Sequence, residues 1–127
     1  MKTITKLVIG LLLFNCSCGF LSADSKKKIL PGTYIRIAQN EFGQEYDTII
    51  ITLINQTTNE YKITHKWKFE RIVDGQQLDP EYRVQIKSGV FDDESGLLGE
   101  AGTLDQFSFK PDQKLMTNGP NQYRKID

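Results

Sequence analysis

A chain of 127 residues, 39% hydrophobic and 25% charged, makes one small domain at most. Its 16 Lys and Arg balance 16 Asp and Glu, which argues against a dedicated nucleic-acid binder, because such a protein carries a net basic surface that displaces phosphate counterions. Aromatic and β-branched residues are plentiful and no low-complexity tract occurs, which excludes a disordered chain.

The chain opens with Lys2 and Lys6 and the apolar run Leu7 to Phe14, the n-region and h-region of a secretory signal. The run is too short to span a bilayer, which needs about 20 residues in a helix. Cys16 and Cys18 stand at its end, where bacterial lipoprotein precursors place the cysteine that becomes diacylated and then N-terminal. Cys18 has the small Ser17 just before it but Asn15 three before; Cys16 has Leu13 three before but Asn15 just before. The small residue is the part tied most closely to cleavage, which favours Cys18 with Cys16 as the alternative. A competing reading is an ordinary signal cleaved after Ala23. A signal segment over 1–18 is therefore expected, followed by a tether over 19–28 that has little apolar content after Leu21. Lys26, Lys27 and Lys28 belong to this solvated linker or touch anionic headgroups. Two or more acyl chains hold a protein stably on a membrane, each buried CH₂ contributing about 0.8 kcal/mol. The expected location is the cell envelope, membrane-anchored and facing the periplasm or the cell surface.

Processing changes the composition. No cysteine lies beyond residue 18, so the domain over 29–127 has neither disulfide nor thiol nucleophile, and over 19–127 the basic count falls to 14 against 16 acidic residues.

From Ile29 onward the apolar residues alternate instead of recurring at three and four. Gly, Asn and Pro arrive at short intervals, including Asn55 to Asn59, Asp74-Gly75, Asp92 to Gly96 and Asn118-Gly119-Pro120. Strands are expected over 32–38, 46–54, 59–73, 82–91, 96–99, 103–109, 113–117 and 121–126. The fold class is all-β: a small antiparallel up-and-down, lipocalin-like barrel, or a strongly curved meander of about eight strands. The second strand, Asp47 to Ile54, is evenly apolar and reads as covered on both faces or lying beneath the tether. In the third, the odd positions Tyr61, Ile63, His65, Trp67, Phe69, Arg71 and Val73 form a largely apolar face, and the even positions a charged one. Such a long strand must bend, and the lapse after Phe69 suggests a bulge. Tyr82, Val84, Ile86 and Val90 on the fourth strand, with Phe107 and Phe109 on the sixth, supply matching inner faces.

Pro31-Gly32-Thr33-Tyr34 at the domain opening, Asp47 to Ile51, Phe107-Ser108-Phe109-Lys110-Pro111, then Leu115, Gly119 and Tyr123-Arg124-Lys125 resemble small lipocalin-like lipoproteins of Gram-negative envelopes. The resemblance spans most of the chain after the signal and implies a barrel fold. Its motifs are structural, and no catalytic or ligand-binding residue carries over from it.

The chemistry-bearing residues are few. His65 is the only histidine. On an apolar stripe it reads first as a hydrogen-bonded core residue and second as a proton acceptor or a polar group in a cavity. There is no partner set for a transition metal, and Ser88, Ser95 and Ser108 lack a nucleophile-elbow setting, so neither an enzyme nor a cofactor is expected. Asp92-Asp93-Glu94-Ser95-Gly96 reads as a hairpin turn, without the spacing of a calcium loop. His65, Trp67, Phe69 and Phe107 are candidates to line an interior for a small apolar ligand. Lys62, Lys66 and Lys68, with Arg83 and Lys87 on the next strand, are candidates for a basic stripe facing an acidic partner or anionic lipid. Two functions compete: a lipid-anchored, non-catalytic binding module for an unidentified ligand or envelope protein, and a structural accessory subunit of an envelope or secretion assembly. Apolar cavities bounded by Trp67 and Phe107 favour the first; a solid core with an exposed patch favours the second.

Overall fold

A computed structural model describes residues 27–127. The expected signal segment with Cys16 and Cys18, and the tether up to residue 26, lie outside the described residues. The strands are β1 (Gly32–Asn40), β2 (Gly43–Asn55), β3 (Glu60–Val73), β4 (Gln76–Gln77), β5 (Glu81–Asp92), β6 (Leu97–Glu100), β7 (Gln106–Lys110), β8 (Leu115–Asn118) and β9 (Asn121–Lys125). All pairings are antiparallel, and the sheet closes as β9 returns to β1 through Tyr34 opposite Lys125 and Ile35 opposite Arg124. This is an eight-stranded up-and-down barrel; the short β4 is folded back on the end of β3 beyond the closed ring. The turns use the residues their backbones need. Between β3 and β4, Asp74 (φ 50) and Gly75 (φ 77) both take positive φ, which a tight hairpin between right-twisted strands requires.

Alternation places one side chain of every second residue inside. Tyr34, Ile49, Ile51, Ile63, Phe91, Leu98, Phe107, Phe109, Met116 and Tyr123 are buried there as one cluster. Gly89 makes room for it: a Cβ at this position would lie 2.8 Å from both the Gly99 carbonyl oxygen and Ile63 Cδ1. One end of the barrel is plugged by the buried Ile29 and Leu30. The Tyr34 hydroxyl donates to both their carbonyls, and Lys125 Nζ donates to the Ile29 carbonyl at 2.9 Å.

The strands differ greatly in length. At about 3.3 Å per residue the 14 residues of β3 extend about 46 Å, against about 13 Å for the four residues of β8. β6 pairs only with Gly89 to Asp92 of β5, and β9 only with Tyr34 and Ile35 of β1. Above those levels β1, β2, β3 and β5 continue together as a four-stranded sheet, and no strand among the described residues closes over its inner face, where Trp67 and Phe69 are half-buried.

Three expectations are corrected by the register. Tyr82, Val84, Ile86 and Val90 do not face the interior. They are 69%, 63%, 63% and 55% exposed, because Lys68, Lys66 and Thr64 of the outer face pair with Tyr82, Val84 and Ile86. The buried residues Gly89 and Phe91 set the parity of β5, and the alternation above them lies beyond the closed ring. β3 carries no bulge after Phe69: its pairing with β2 is continuous to Arg71 opposite Gly43, and the irregularity lies at Leu53/Asn55. Finally, among the described residues β2 is not covered on both faces, since Ile49 and Ile51 are buried while Ile54 is 54% exposed; the alternative, cover by the tether, rests on residues that lie outside the described ones.

Candidate functional site

Pairing across the four long strands arranges the inner face in rows. The first row is Tyr34, Ile49, His65 and Gln85; the second is Arg36, Asp47, Trp67 and Arg83; the third is Ala38, Glu45, Phe69 and Glu81. Tyr34 and Ile49 belong to the packed barrel, and the rows above it turn aromatic and charged.

Asp47 is the pivot. It is 3% exposed, a cost that an ionised carboxylate offsets only with several partners. Tyr123 O–H donates to its Oδ2 at 2.6 Å, His65 Nε2 bonds its Oδ1, and Arg36 Nη1 stands 4.0 Å from Oδ2 and 3.9 Å from Glu45. A carboxylate only accepts, so Nε2 carries the hydrogen in this bond. Nδ1 has no hydrogen-bond partner among the described residues and is not sealed from solvent. The indole of Trp67 lies against the imidazole, ring centroids 3.5 Å apart with 32° between planes. Beyond it Arg83 Cζ sits 6.0 Å from the Phe69 ring, within cation–π range. Arg71 bridges to Glu81 at 3.4 Å and Lys87 to Glu100 at 3.3 Å. At the tip of the sheet a depression of about 390 Å³ is bordered by Ala38, Phe42, Glu45, Phe69, Arg71 and Val73.

The sequence candidates are distributed as follows. His65, Trp67 and Phe69 come together on this face, whereas Phe107 is buried in the barrel with Leu98 and Phe109; the four do not line one cavity. The basic stripe is also corrected. Lys62, Lys66 and Lys68 are on the outer face, while Arg83 and Lys87 pair with Trp67 and Ile63 and share the inner one. Lys68 lies 3.2 Å from Glu70 and 5.2 Å from the Tyr46 ring. Asp92 to Gly96 is a turn closed on itself: Asp92 accepts from Glu94 N at 3.0 Å and from Ser95 Oγ at 3.0 Å, and Gly96 N donates to the Asp92 carbonyl. Arg36, Asp47 and Tyr123 escaped the sequence reading of the site, although charged residues at the core parity of β1 and β2 were the signal.

Among the described residues no serine joins His65 in a nucleophilic triad. Ser88 is on the outer face, Ser95 is bonded in its turn, and Ser108 is bonded to Thr117. Among the described residues no group of three or more His, Cys, Asp or Glu is placed to hold a metal ion. The chain matches no known protein family, curated protein or solved structure.

The hydroxyls at the two ends of the interior have a consequence for stability. The Tyr123 pKa is pushed up, first by burial and then by its bond to Asp47 and that carboxylate's charge; burial and then Asp127 raise that of Tyr34. A raised folded-state pKa adds stability that is fully present below the unfolded value of 10.0 and is lost as pH rises above it. Urea unfolding is therefore expected to show stability flat through neutral pH and falling above about pH 10. Tyr123→Phe should reduce that alkaline slope; an unchanged slope would contradict the assignment.

Proposed function

We propose that the protein is a non-catalytic binding module, anchored to the envelope membrane by lipid on Cys18, with Cys16 as the alternative, and taking a protein partner on the inner face of the uncovered β1–β2–β3–β5 sheet. The observation that carries this reading is the contrast between two parts of one sheet: the closed ring is filled by its own side chains, while the continuation above it presents half-buried Trp67 and Phe69 and exposed Arg83 with no strand among the described residues over them. Aromatic and Arg side chains on a preformed face are the types enriched at protein interfaces. The filled interior argues against a small apolar ligand held inside the ring.

The direction of the chain supports the anchored arrangement. Lys27 pairs with Asp93 at 2.8 Å, and Ile29 and Leu30 plug the same end, so the chain enters the fold at its closed end. A lipid upstream holds that end toward the membrane and leaves the uncovered sheet pointing away. The accessory-subunit reading is favoured by a separate feature, the exposed Tyr82, Val84 and Ile86 on the outer face of β5.

One experiment tests both halves. The full chain, made in its own cells with an alkyne fatty acid, is solubilised in detergent and used for affinity capture. Label is expected on the wild type and lost when Cys16 and Cys18 are both replaced by Ser; surviving label would overturn the anchor. A partner held by the wild type and by Lys66→Glu on the outer face is expected to be released by Trp67→Ala combined with Arg83→Glu. Retention by that double variant would overturn the binding face.

A further inference from the structure

The upper edge of β5 is open. Ala101 N donates to the Ser88 carbonyl at 2.8 Å and Phe91 N donates to the Asn59 carbonyl at 3.0 Å. Even-numbered residues of β5 thus direct their N–H and C=O away from β3, and odd-numbered ones toward it. Above Ser88 the N–H and C=O groups of Ile86, Val84 and Tyr82 have no partner among the described residues. The open stretch is bounded below by the engaged Ser88 and above by Pro80, which has no N–H to offer. Val84 is its centre. The same three residues are 69%, 63% and 63% exposed, so an unpaired edge coincides with an apolar outer face. Proteins ordinarily blunt such an edge with charge, a bulge or a cover.

We infer that this edge pairs with itself, joining two copies of the chain about a two-fold axis at Val84. Only registers that oppose residues of like parity keep the outer faces together. Centring on Arg83 opposes two arginines, and centring on Gln85 opposes Arg83 to Lys87 of the second copy. Centring on Val84 sets Tyr82 against Ile86, Val84 against Val84, Arg83 against Gln85 and Glu81 against Lys87 of the second copy. Apolar residues then meet on one face, and unlike charges meet on the other. Glu81 and Lys87 already have intramolecular partners in Arg71 and Glu100, so the new pair extends existing ion pairs without opposing like charges. The backbone agrees with the same register. Val84 exchanges both hydrogen bonds with its copy, and Tyr82 exchanges both with Ile86 on each side, which uses every open group on the edge. The joined sheet carries the inner faces of both copies on one side, with Arg83 and Gln85 of each at the seam.

The test uses the full chain. Sedimentation in detergent is expected to show a dimer, and Val84→Pro to give a monomer with unchanged far-UV circular dichroism, since a proline on an open edge removes no bond within one copy. Hydrogen-bonded antiparallel partners have Cα atoms about 5.5 Å apart, inside the disulfide range of about 4.4–6.8 Å. With Cys16 and Cys18 replaced by Ser, Val84→Cys should therefore oxidise to a covalent dimer, and Ile37→Cys on the opposite edge should not. A monomeric wild type, a dimer indifferent to Val84→Pro, or cross-linking at residue 37 and not at 84 would overturn the proposal.

Discussion

Asp47→Ala is expected to lower the unfolding free energy by about 3–5 kcal/mol, the cost of breaking a buried charge network by removing one partner. The loss is large because three groups depend on that carboxylate: the Tyr123 hydroxyl, His65 Nε2 and, more distantly, Arg36. Tyr123 is itself 1% exposed, so without Asp47 its hydroxyl is left buried and unpaired. A domain of this size is stable by about 5–15 kcal/mol in total, and Asp47→Ala is expected to melt tens of degrees below the wild type. His65→Gln should cost much less, because the imidazole is 19% exposed and water can replace its bond. Urea unfolding of the two variants separates these cases. Equal and small losses would show that Asp47 is not the pivot of the barrel mouth.

The second large effect lies below that network. Phe107→Ala should destabilise by about 3–5 kcal/mol, because a ring that is 1% exposed leaves a cavity that its neighbours fill only partly. Trp67→Ala should cost less, about 1–3 kcal/mol, because the indole is only half-buried and its removal takes away its stacking on His65 and part of its apolar contact, although Trp is the larger residue. The order of the two is the informative result. A filled ring beneath an uncovered face requires the smaller ring to matter more for stability, and the reverse order would mean that the packed interior extends up to Trp67.

Much of the fold was legible in the sequence, and the reason is local. Turn residues such as Asp74-Gly75 and Asp92 to Gly96 mark where strands must end, and alternation from Tyr61 to Phe69 marks which side is dry. The sign of the alternation on β5 was not legible. Tyr82, Val84 and Ile86 alternate as a core strand would, and only the register on β3, fixed lower down by Gly89 and Phe91, turns them outward. The same effect split the expected basic stripe between two faces. The open sheet has a signal in the unequal strand lengths: β3 has 14 residues against four in each of β6 and β8. In sequence that excess predicts a bend in a closed barrel; in the structure it continues past the closed ring.

His65, Trp67 and Phe69 were found from one strand because they are consecutive at its inner parity. Arg36, Asp47 and Tyr123 come from β1, β2 and β9, and their meeting depends on closure of the ring. In β2, Asp47 is followed at its own parity by Ile49 and Ile51, both buried. A charge at that position demands partners across the sheet, but sequence alone does not say from which strand they come.

The inner face of the β1–β2–β3–β5 sheet is tested most directly by photo-cross-linking in living cells, with a benzophenone amino acid placed in the full chain at Phe69 on the inner face or at Thr64 on the outer face. Adducts to a second protein from position 69 and none from position 64 are the expected result. Adducts from position 64 alone would place the working surface on the other side of the same strand and contradict the proposed binding face.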